Sequence, residues 1–456
     1  MKLFLRLIAA VISICIAASP VYAAASPSVP SSGAHLADIS GIPGIATPPD
    51  LGDQAIILIE AKSGAVLYAH DADTAYYPAS ITKIMTALLV LENCDLDDIV
   101  TFSYRATHEL EVGSSSIART EGEQLSVREC LYALLVASAN EVAQALAEHV
   151  SGSFEEFAVL MNKRAEELGC TGTHFSNPSG LNDPNHYTTC RDMALILRAA
   201  IAHPDFLEIA STTSHVIPAT NKHSEPIGVF MKHELLRGSD KYEYARCGKT
   251  GYTSLAGYTL ATYASKDNID LICITLNCES SEQRSSATKA LFDYGFSNFN
   301  IFNVIESDTA MLANKALIQD ESFMGGNLLD LKIADDTFIV LPEGIPFDKL
   351  TGTFKWNVEN SSDRIASIEY RYGSTVVGYA DLIFTGSSND PYDFLRHDTY
   401  PDSYIKEVDE SMPTWLIILI SVAGVGVVIL IYKGISYFLN GKYKKRRGAR
   451  LSKHLR

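Results

Sequence analysis

Several signatures of metal, redox and nucleotide sites are missing from this chain. Its 8 cysteines form no Cys-x-x-Cys pair and its 12 histidines form no His-Glu-x-x-His, which argues against a dithiol centre and a zinc peptidase. Gly248-Lys249-Thr250 looks like the end of a P-loop, but that pattern requires glycine where Glu243 stands. We therefore expect neither a metal nor another cofactor.

Positive charge is also scarce. The chain has 37 lysines and arginines against 54 aspartates and glutamates, a formal net charge of -17. A chain of this charge repels the phosphate backbone of nucleic acids, so we expect no nucleic-acid partner.

The N-terminus has the pattern of a secretory signal. Lys2 and Arg6 precede and flank an apolar run over residues 7–18, and Val21-Tyr22-Ala23 fits a cleavage site. We assign residues 1–23 to a signal peptide, with an uncleaved anchor helix as the alternative. Residues 24–50, rich in Ala, Ser and Pro, are interpreted as a flexible linker.

A second apolar run lies near the C-terminus. Residues 415–432 carry no charged side chain, and a bilayer needs about 20 such residues in a helix. We predict a transmembrane helix over residues 414–433, a polar stalk over 387–413 and a basic cytoplasmic tail over 434–456. Since positive residues stay on the cytoplasmic side, the body of the chain is expected outside, held at the cell membrane by a single pass.

Cysteine spacing gives no disulfide framework. Cys15 would leave with the signal, and the other seven are scattered without pairing logic. We interpret most of them as small buried apolar residues. Cys247, two residues before Lys249, is the one we consider as a reagent-accessible thiol.

Ser80 and Lys83 stand three residues apart, just before an apolar run over residues 84–91 that predicts a buried helix. Residues at this spacing share one helix face, with Cβ atoms roughly 5–6 Å apart. A lysine whose pKa is lowered by burial or by a neighbouring cation can take the proton of a serine hydroxyl. Alone, this pair is a weak signal, because chance matches that are only a capping serine and a solvated lysine are far more common.

Two further motifs follow in a fixed order. Ser138-Ala139-Asn140 falls at a break between two predicted helices, and Lys249-Thr250-Gly251 opens a region of predicted strands. The set Ser-x-x-Lys, Ser-x-Asn and Lys-Thr-Gly is the signature of serine penicillin-binding proteins and related β-lactamases.

The order of predicted elements suggests two folded units. A hairpin around Lys62-Ser63-Gly64, then helices over residues 126–201, then strands over 248–277 indicate a sheet with a mostly helical lobe, assigned to residues 51–300. Short strands with turn signals over residues 301–386 indicate a small all-β domain.

Longer stretches resemble the low-molecular-mass penicillin-binding proteins, the D-alanyl-D-alanine carboxypeptidases. They are residues 78–86 around Ser80, residues 173–181 (Thr-His-Phe-Ser-Asn-Pro-Ser-Gly-Leu), Lys249 to Thr253 with Ala256-Gly257, and Asp293-Tyr294-Gly295-Phe296. The resemblance implies the α/β (α+β) serine β-lactamase and penicillin-binding-protein fold, followed by the β domain. The predicted C-terminal transmembrane helix departs from the family, whose anchor is often an amphipathic helix lying on the membrane.

The resemblance also implies a reaction: removal of the terminal D-alanine from peptidoglycan stem pentapeptides through an acyl-enzyme, with covalent binding of β-lactam antibiotics. Ser80 would be the nucleophile, Lys83 the base, and Ser138 a proton relay. The implied substrate-binding residues are Asn140, Lys249, Thr250, Gly251, Tyr252, Thr253 and Arg284. The backbone N–H groups of Ser80 and Tyr252 would form the oxyanion hole.

Two alternatives share this fold. A β-lactamase differs by rapid deacylation, but no carboxylate after Asn140 matches its deacylating glutamate; Glu155, Glu156, Glu166 and Glu167 lie on a predicted helix. A catalytically weak cell-wall binding protein would lose a motif residue, and all three motifs are intact.

Overall fold

The structure is a computed structural model that describes residues 36–111, 113–307, 331–334, 336–356 and 364–384. The predicted signal peptide, stalk, membrane helix and basic tail lie outside these residues. Within the described ranges, no helix combines the length and the hydropathy that crossing a bilayer requires.

A five-stranded antiparallel sheet forms the centre of the fold, in the order β2-β1-β9-β8-β7. Its strands are β1 (Ala55–Glu60), β2 (Val66–His70), β7 (Ala245–Thr253), β8 (Gly257–Lys266) and β9 (Ile269–Cys278). Two small pairs lie outside it: β3 (Ile99–Thr101) with β4 (Gln124–Ser126), and β5 (Ser214–Ile217) with β6 (Ile227–Phe230). Strand β7, which carries the Lys-Thr-Gly motif, is an outer strand of the central sheet.

Helices are the main secondary-structure elements between β2 and β7. They are α1 (Lys83–Asn93), α2 (Tyr104–His108), α3 (Val127–Tyr132), α4 (Asn140–Ser151), α5 (Phe154–Glu167), α6 (Cys190–Ile201) and α7 (Pro204–Ser211), and a long helix α8 (Ser281–Asn298) follows β9. A short 3₁₀ turn, Ala79–Thr82, precedes α1.

The central strands are buried on both faces, which explains their nearly continuous apolar sequences. In β1, Ile57 and Ile59 belong to the apolar core shared with the helices between β2 and β7. Ile56 and Leu58 belong to a second core, which includes Leu291 of α8. The sheet is therefore covered by the helical lobe on one face and by α8 on the other.

The two helices that begin with motif residues lack the side-chain cap that most of the other described helices have; α7 is a further helix without one. Five helices begin after a serine or threonine whose side-chain oxygen accepts a backbone N–H: Ser103, Ser126, Ser153, Thr189 and Ser280. The helices that begin at Lys83 and Asn140 have no side-chain cap. A favoured local signal is thus missing at the two helix starts that bear motif residues.

Strands also follow α8. They are β10 (Phe299–Asn303), β11 (Leu331–Ile333), β12 (Phe338–Pro342), β13 (Thr351–Trp356), β14 (Arg364–Tyr372) and β15 (Thr375–Phe384), with a one-turn helix α9 (Val304–Ser307) after β10. Strands β11, β15, β14 and β13 form a four-stranded antiparallel sheet in that order, and β10 pairs with β12. The short strands expected here are present, and buried residues of β12, β14 and β15 join the second core.

The cysteines behave largely as the sequence predicts. The seven described cysteines are all free thiols; Cys94 and Cys170 are partly exposed and the other five are buried. Burial raises the pKa of the Cys247 thiol well above its usual range. The idea of Cys247 as a reagent-accessible thiol was wrong, because its side chain points into the core rather than into the cleft beside Lys249.

Candidate active site

The serine and lysine of the first motif are in contact. Ser80 lies in the 3₁₀ turn and Lys83 is the first residue of α1. The Lys83 Nζ atom lies 3.1 Å from Ser80 Oγ, 2.7 Å from Asn140 Oδ1 and 2.6 Å from the Ser179 carbonyl oxygen. The amide and carbonyl oxygens only accept hydrogen bonds, so a neutral amine gives them its two N–H groups. Its lone pair then faces the Ser80 hydroxyl.

Electrostatics favour that neutral amine. Lys83 is fully buried, and burial lowers its pKa well below the ordinary value; the charges of Lys249 and Lys232 lower it further, against the opposing effect of Glu141. An uncharged lysine in contact with a serine hydroxyl is a base for activating that nucleophile.

Two glycines fix the position of the nucleophile turn. A Cβ on Gly180, which has φ of +84°, would lie 1.9 Å from the Ala79 carbonyl oxygen. A Cβ on Gly251 would lie 2.8 Å from the Ser80 backbone nitrogen. The loop bearing Gly180 and the outer strand β7 can approach the turn this closely because neither residue has a side chain.

Ser138 and Asn140 lie between two helical segments. A π-helical segment, Ala133–Ala137, ends at Ser138, whose φ of 63° is left-handed and breaks the helix. Ser138 lines the cleft with Ser80, and its buried hydroxyl oxygen has no hydrogen-bond partner among the described residues. Such a group is satisfied when a substrate or water enters the cleft.

Sequence reasoning missed Glu141, which stabilises the same turn from behind. Its Oε1 accepts hydrogen bonds from Ser116 Oγ at 2.8 Å and from the Ile117 N–H at 2.6 Å, while the Asn140 N–H donates to the Ser115 carbonyl oxygen at 2.8 Å. The only signal in the sequence is its position directly after Asn140 of the second motif. Its carboxylate ties α4 to the loop that forms one wall of the cleft.

The third motif lies on β7 opposite these groups. Lys249 is almost completely buried, and its Nζ donates to the Thr250 carbonyl oxygen at 2.9 Å. Burial, with the nearby charges of Lys232 and Arg284, lowers the pKa of Lys249 to about 7. Thr250, Gly251 and Tyr252 line the cleft along the free edge of β7.

Thr253 and Tyr252 take different positions at the end of β7. The Thr253 hydroxyl donates to Asn182 Oδ1 at 2.8 Å and accepts the Ala256 N–H at 3.0 Å, so it ties β7 to the loop after Gly180. Tyr252 is 58% exposed and stacks at a tilt on Tyr258, with ring centroids 4.5 Å apart. Its ring offers an apolar surface at the mouth of the cleft.

Arg284 reaches the cleft from α8. Its Nη1 donates to the carbonyl oxygens of Gly251 and Thr259, both at 2.9 Å, and its Nη2 donates to Glu234 Oε1 at 2.5 Å. The guanidinium therefore supports the backbone of the Lys-Thr-Gly strand, and its remaining charge is paired with a carboxylate.

Sequence reasoning also missed the segment over residues 232–234, which closes the cleft beside β7. Lys232 Nζ donates to Ser115 Oγ at 3.1 Å, and both Lys232 and Glu234 line the cleft. His233 lies behind β7, where its Nε2 contacts Thr262 Oγ1 at 2.9 Å. A Cβ on Gly248 would lie 2.7 Å from His233 Nε2, so this glycine is required for the contact. No short motif marks this segment, because its relation to the site arises from the fold.

The motif residues thus converge on one cleft of about 570 Å³. Ser80, Ser138, Asn140, Thr250, Gly251, Tyr252, Thr253 and Arg284 line it, and Lys83 and Lys249 lie buried directly behind its wall. A nucleophile, a neutral base, an unpaired hydroxyl and buried cations in one cleft have the chemistry for acyl transfer to serine.

One group outside this cleft has metal-ligand chemistry. Cys94, Asp98 and His149 bring a thiol, a carboxylate and an imidazole within 4.8 Å of one another, at the far ends of α1 and α4. Asp98 and His149 are exposed, and the Asp98 carboxylate already accepts the Asp95 N–H at 3.0 Å. We assign no role to this group.

Comparisons with known proteins agree with this geometry. A family model described as D-alanyl-D-alanine carboxypeptidase matches residues 43–280. The chain is 32% identical over 249 residues to the D-alanyl-D-alanine carboxypeptidase DacF of Bacillus subtilis, covering 54% of this chain and 62% of that relative. It is also 32% identical over 312 residues to DacA of Haemophilus influenzae, covering 65% of this chain and 74% of the relative.

A solved structure extends the likeness. Penicillin-binding protein 5 from Haemophilus influenzae superposes with a TM-score of 0.61 at 28% identity, covering 74% of this chain and 98% of that one. The matched family region contains every motif residue of the cleft up to Thr253 and ends just before Arg284. The chain belongs to the D-alanyl-D-alanine carboxypeptidase family of penicillin-binding proteins.

Proposed function

We propose that this protein is a serine-type D-alanyl-D-alanine carboxypeptidase that trims peptidoglycan stem peptides. The observation that carries the proposal is the contact of Lys83 Nζ with Ser80 Oγ at 3.1 Å, in which the lysine is buried and its two N–H groups have other acceptors. Family membership supplies the substrate class.

The chemistry follows from the positions of the groups. Lys83 takes the Ser80 proton as Oγ attacks the carbonyl carbon between the two D-alanines. The developing oxyanion accepts hydrogen bonds from the backbone N–H groups of Ser80 and Tyr252. Each donor of such an oxyanion hole stabilises the transition state by ~3–4 kcal/mol. The proton then passes through Lys83 and Ser138 to the leaving amine nitrogen, and D-alanine departs. Water later attacks the ester and releases the shortened peptide.

The substrate-binding roles follow the same geometry. The side-chain amide of Asn140 forms a hydrogen bond with the substrate peptide next to the scissile carbonyl. Lys249 and Thr250, with Thr253 at the end of the strand, bind the C-terminal carboxylate. The free edge of β7 pairs with the extended peptide, as unpaired strand edges do. Arg284 acts at this end of the cleft by supporting the Gly251 carbonyl.

Labelling with a fluorescent penicillin tests the proposal. We expect covalent label on the wild type, none on Ser80→Ala, and slow loss of the label once formed. Release within seconds would favour the β-lactamase alternative instead. Absence of label on folded wild-type protein would contradict the Ser80 assignment and favour a wall-binding protein.

We further propose how the chain is placed in the cell. Residues 1–23 direct export, and residues 301–386 form a C-terminal β domain after the catalytic domain (51–300). Residues 414–433 anchor the chain, with the basic tail inside. The β domain would lift the cleft from the membrane toward the wall. Protease shaving of intact cells tests this topology: loss of the penicillin-labelled body with retention of a short tail is expected, and a protected body would contradict it.

A further inference from the structure

A partly buried ion pair lies at the proposed carboxylate-binding end of the cleft. Arg284 Nη2 donates to Glu234 Oε1 at 2.5 Å, with the arginine side chain 6% exposed and the glutamate side chain 26% exposed. Nη1 is occupied by the Gly251 and Thr259 carbonyl oxygens. Nη2, the other terminal nitrogen, is the one that donates to Glu234.

The positive charge of Arg284 also affects the lysine of the Lys-Thr-Gly motif. Its charge is one of the causes that lower the pKa of Lys249, the lysine of the Lys-Thr-Gly motif. Lys232 adds a further cation along the same wall. A C-terminal carboxylate in this cleft would meet several positive groups, and Glu234 is the acid placed among them.

Glu234 is incompletely satisfied where it lies. Its second oxygen, Oε2, is buried and has no hydrogen-bond partner among the described residues, and the same holds for Arg284 Nε. A carboxylate has about four acceptor positions, and burying one oxygen without a partner costs free energy. Glu234 Oε2 is therefore an unused acceptor among the described residues, on a side chain that lines the cleft, which points to a role there.

We propose that Glu234 is a specificity-determining residue of this site. Its carboxylate pairs with Arg284 Nη2 and offsets positive charge that would otherwise attract a substrate carboxylate. It thereby lowers the preference of the cleft for anionic C-termini over neutral ones. This inference deepens the proposed function and rests on it. It adds a competing anion to the group of cations that receives the C-terminus.

The comparison of an acidic and a neutral ligand tests the proposal. The two ligands are a diacylated L-Lys-D-Ala-D-Ala peptide and its C-terminal amide. Each is measured as a competitor of fluorescent penicillin labelling, which yields an inhibition constant for both. Glu234→Gln should raise the acid-over-amide preference about tenfold, the size of one partly buried charge contact, mainly by tightening the acid.

A control is available in the same cleft. Glu111 also lines the cleft, but the carboxylate that pairs with Arg284 is that of Glu234. Glu111→Gln removes the same charge from the same cleft and should leave the acid-over-amide preference within about twofold of wild type. If only the net charge of the cleft mattered, both variants would instead change the acid-over-amide preference by the same factor.

The outcomes separate clearly. A rise with Glu234→Gln that Glu111→Gln does not share supports the proposal. An unchanged preference, or equal tightening of acid and amide, overturns it. If the glutamine variant fails to fold, Glu234→Asp is measured instead, since its side chain is one methylene shorter and moves the carboxylate away from Arg284. A rise of about twofold or more in the acid-over-amide preference supports the proposal, and no rise overturns it. Unlabelled wild-type protein would contradict the proposed function, whereas labelled wild type with an unchanged preference would contradict the role of Glu234 alone.

Discussion

At Ser138, the contribution of a side chain to stability can be measured separately from its contribution to catalysis. Its hydroxyl is buried and unpaired in the described structure, so removing it takes away no internal hydrogen bond. Its left-handed backbone strains alanine as much as serine. We predict that Ser138→Ala changes the free energy of unfolding by less than about 1 kcal/mol. Acylation by penicillin should fall ~10²–10⁴-fold, the usual range for losing a proton-transfer group.

Thermal melting and labelling rates, measured on the same preparation, check this prediction. Thr86→Ala serves as a comparison, because the Thr86 hydroxyl is buried and does donate, to the Pro178 carbonyl oxygen at 2.6 Å. That variant should lose stability with a smaller effect on acylation. A large loss of stability in Ser138→Ala would show that its hydroxyl has a structural partner.

The titration of Lys249 should determine how carboxylate binding changes at alkaline pH. Burial lowers its pKa to about 7, so the ammonium is present below that pH and is lost as the pH rises through it. Binding of a carboxylate should therefore weaken above about pH 7, by up to about tenfold per pH unit. The pKa of Lys83 is also lowered by burial, which favours its neutral amine as the pH rises.

Inhibition constants of the acid peptide and of its amide, measured from pH 6 to 9, test this assignment. Only the acid should weaken as the pH rises. Equal weakening of both would assign the titration to the acylation step, and a flat profile would show that Lys249 stays charged.

At the scale of elements, the close approach of the Gly180 loop to the nucleophile turn decides the geometry of the site. Gly180→Ala places a Cβ 1.9 Å from the Ala79 carbonyl oxygen, so the 3₁₀ turn or the loop must move. We predict a loss of ~3 kcal/mol or more in the free energy of unfolding and at least ~10²-fold slower acylation.

Gly152 provides the matched control. It has the same φ of +84°, and a Cβ there meets no atom within 4 Å. Gly152→Ala should cost about 1–2 kcal/mol from its left-handed backbone and leave the acylation rate of the folded protein unchanged. If the two variants behave alike, the cost at Gly180 is backbone strain and not displacement of Ser80.

Much of this arrangement was readable from local sequence. The hairpin around Lys62-Ser63-Gly64 is confirmed, since β1 and β2 flank it. The spacing of Ser80 and Lys83 predicts one helix face, and the structure places their side chains in contact. Both successes come from signals within a few residues of each other.

The features that were not predicted depend on packing. Helix α8 has little amphipathic pattern, and Gly295 within it weakens the signal further. This glycine is explained by the fold: a Cβ there would lie 2.7 Å from a Leu271 side-chain carbon and 3.0 Å from one of Leu58. Likewise Lys232 and Glu234 reach the cleft through the path of the chain, which no local pattern records.

At the scale of the whole molecule, the second apolar core links the catalytic sheet to the strands after α8. It contains Leu58 and Phe292 together with Val340 and Tyr370, and Lys62 Nζ lies 5.5 Å from the centre of the Phe338 ring. The described residues that line the cleft lie between positions 80 and 284. Stability and chemistry should therefore respond differently to removal of the C-terminal strands.

We predict that a chain ending after Asn298 keeps the acylation rate of its folded fraction. Its melting temperature should be about 6–12 °C lower than that of residues 36–384, which corresponds to a loss of ~3 kcal/mol in the free energy of unfolding for a domain of this size. The reason is that truncation exposes the part of the second core that β12, β14 and β15 cover. Penicillin labelling at 20 °C and thermal melting, both on the two soluble chains, provide the measurement. An unchanged melting temperature would mean that the C-terminal strands fold independently of the catalytic sheet. A slower acylation at equal folded fraction would mean that they shape the cleft from a distance.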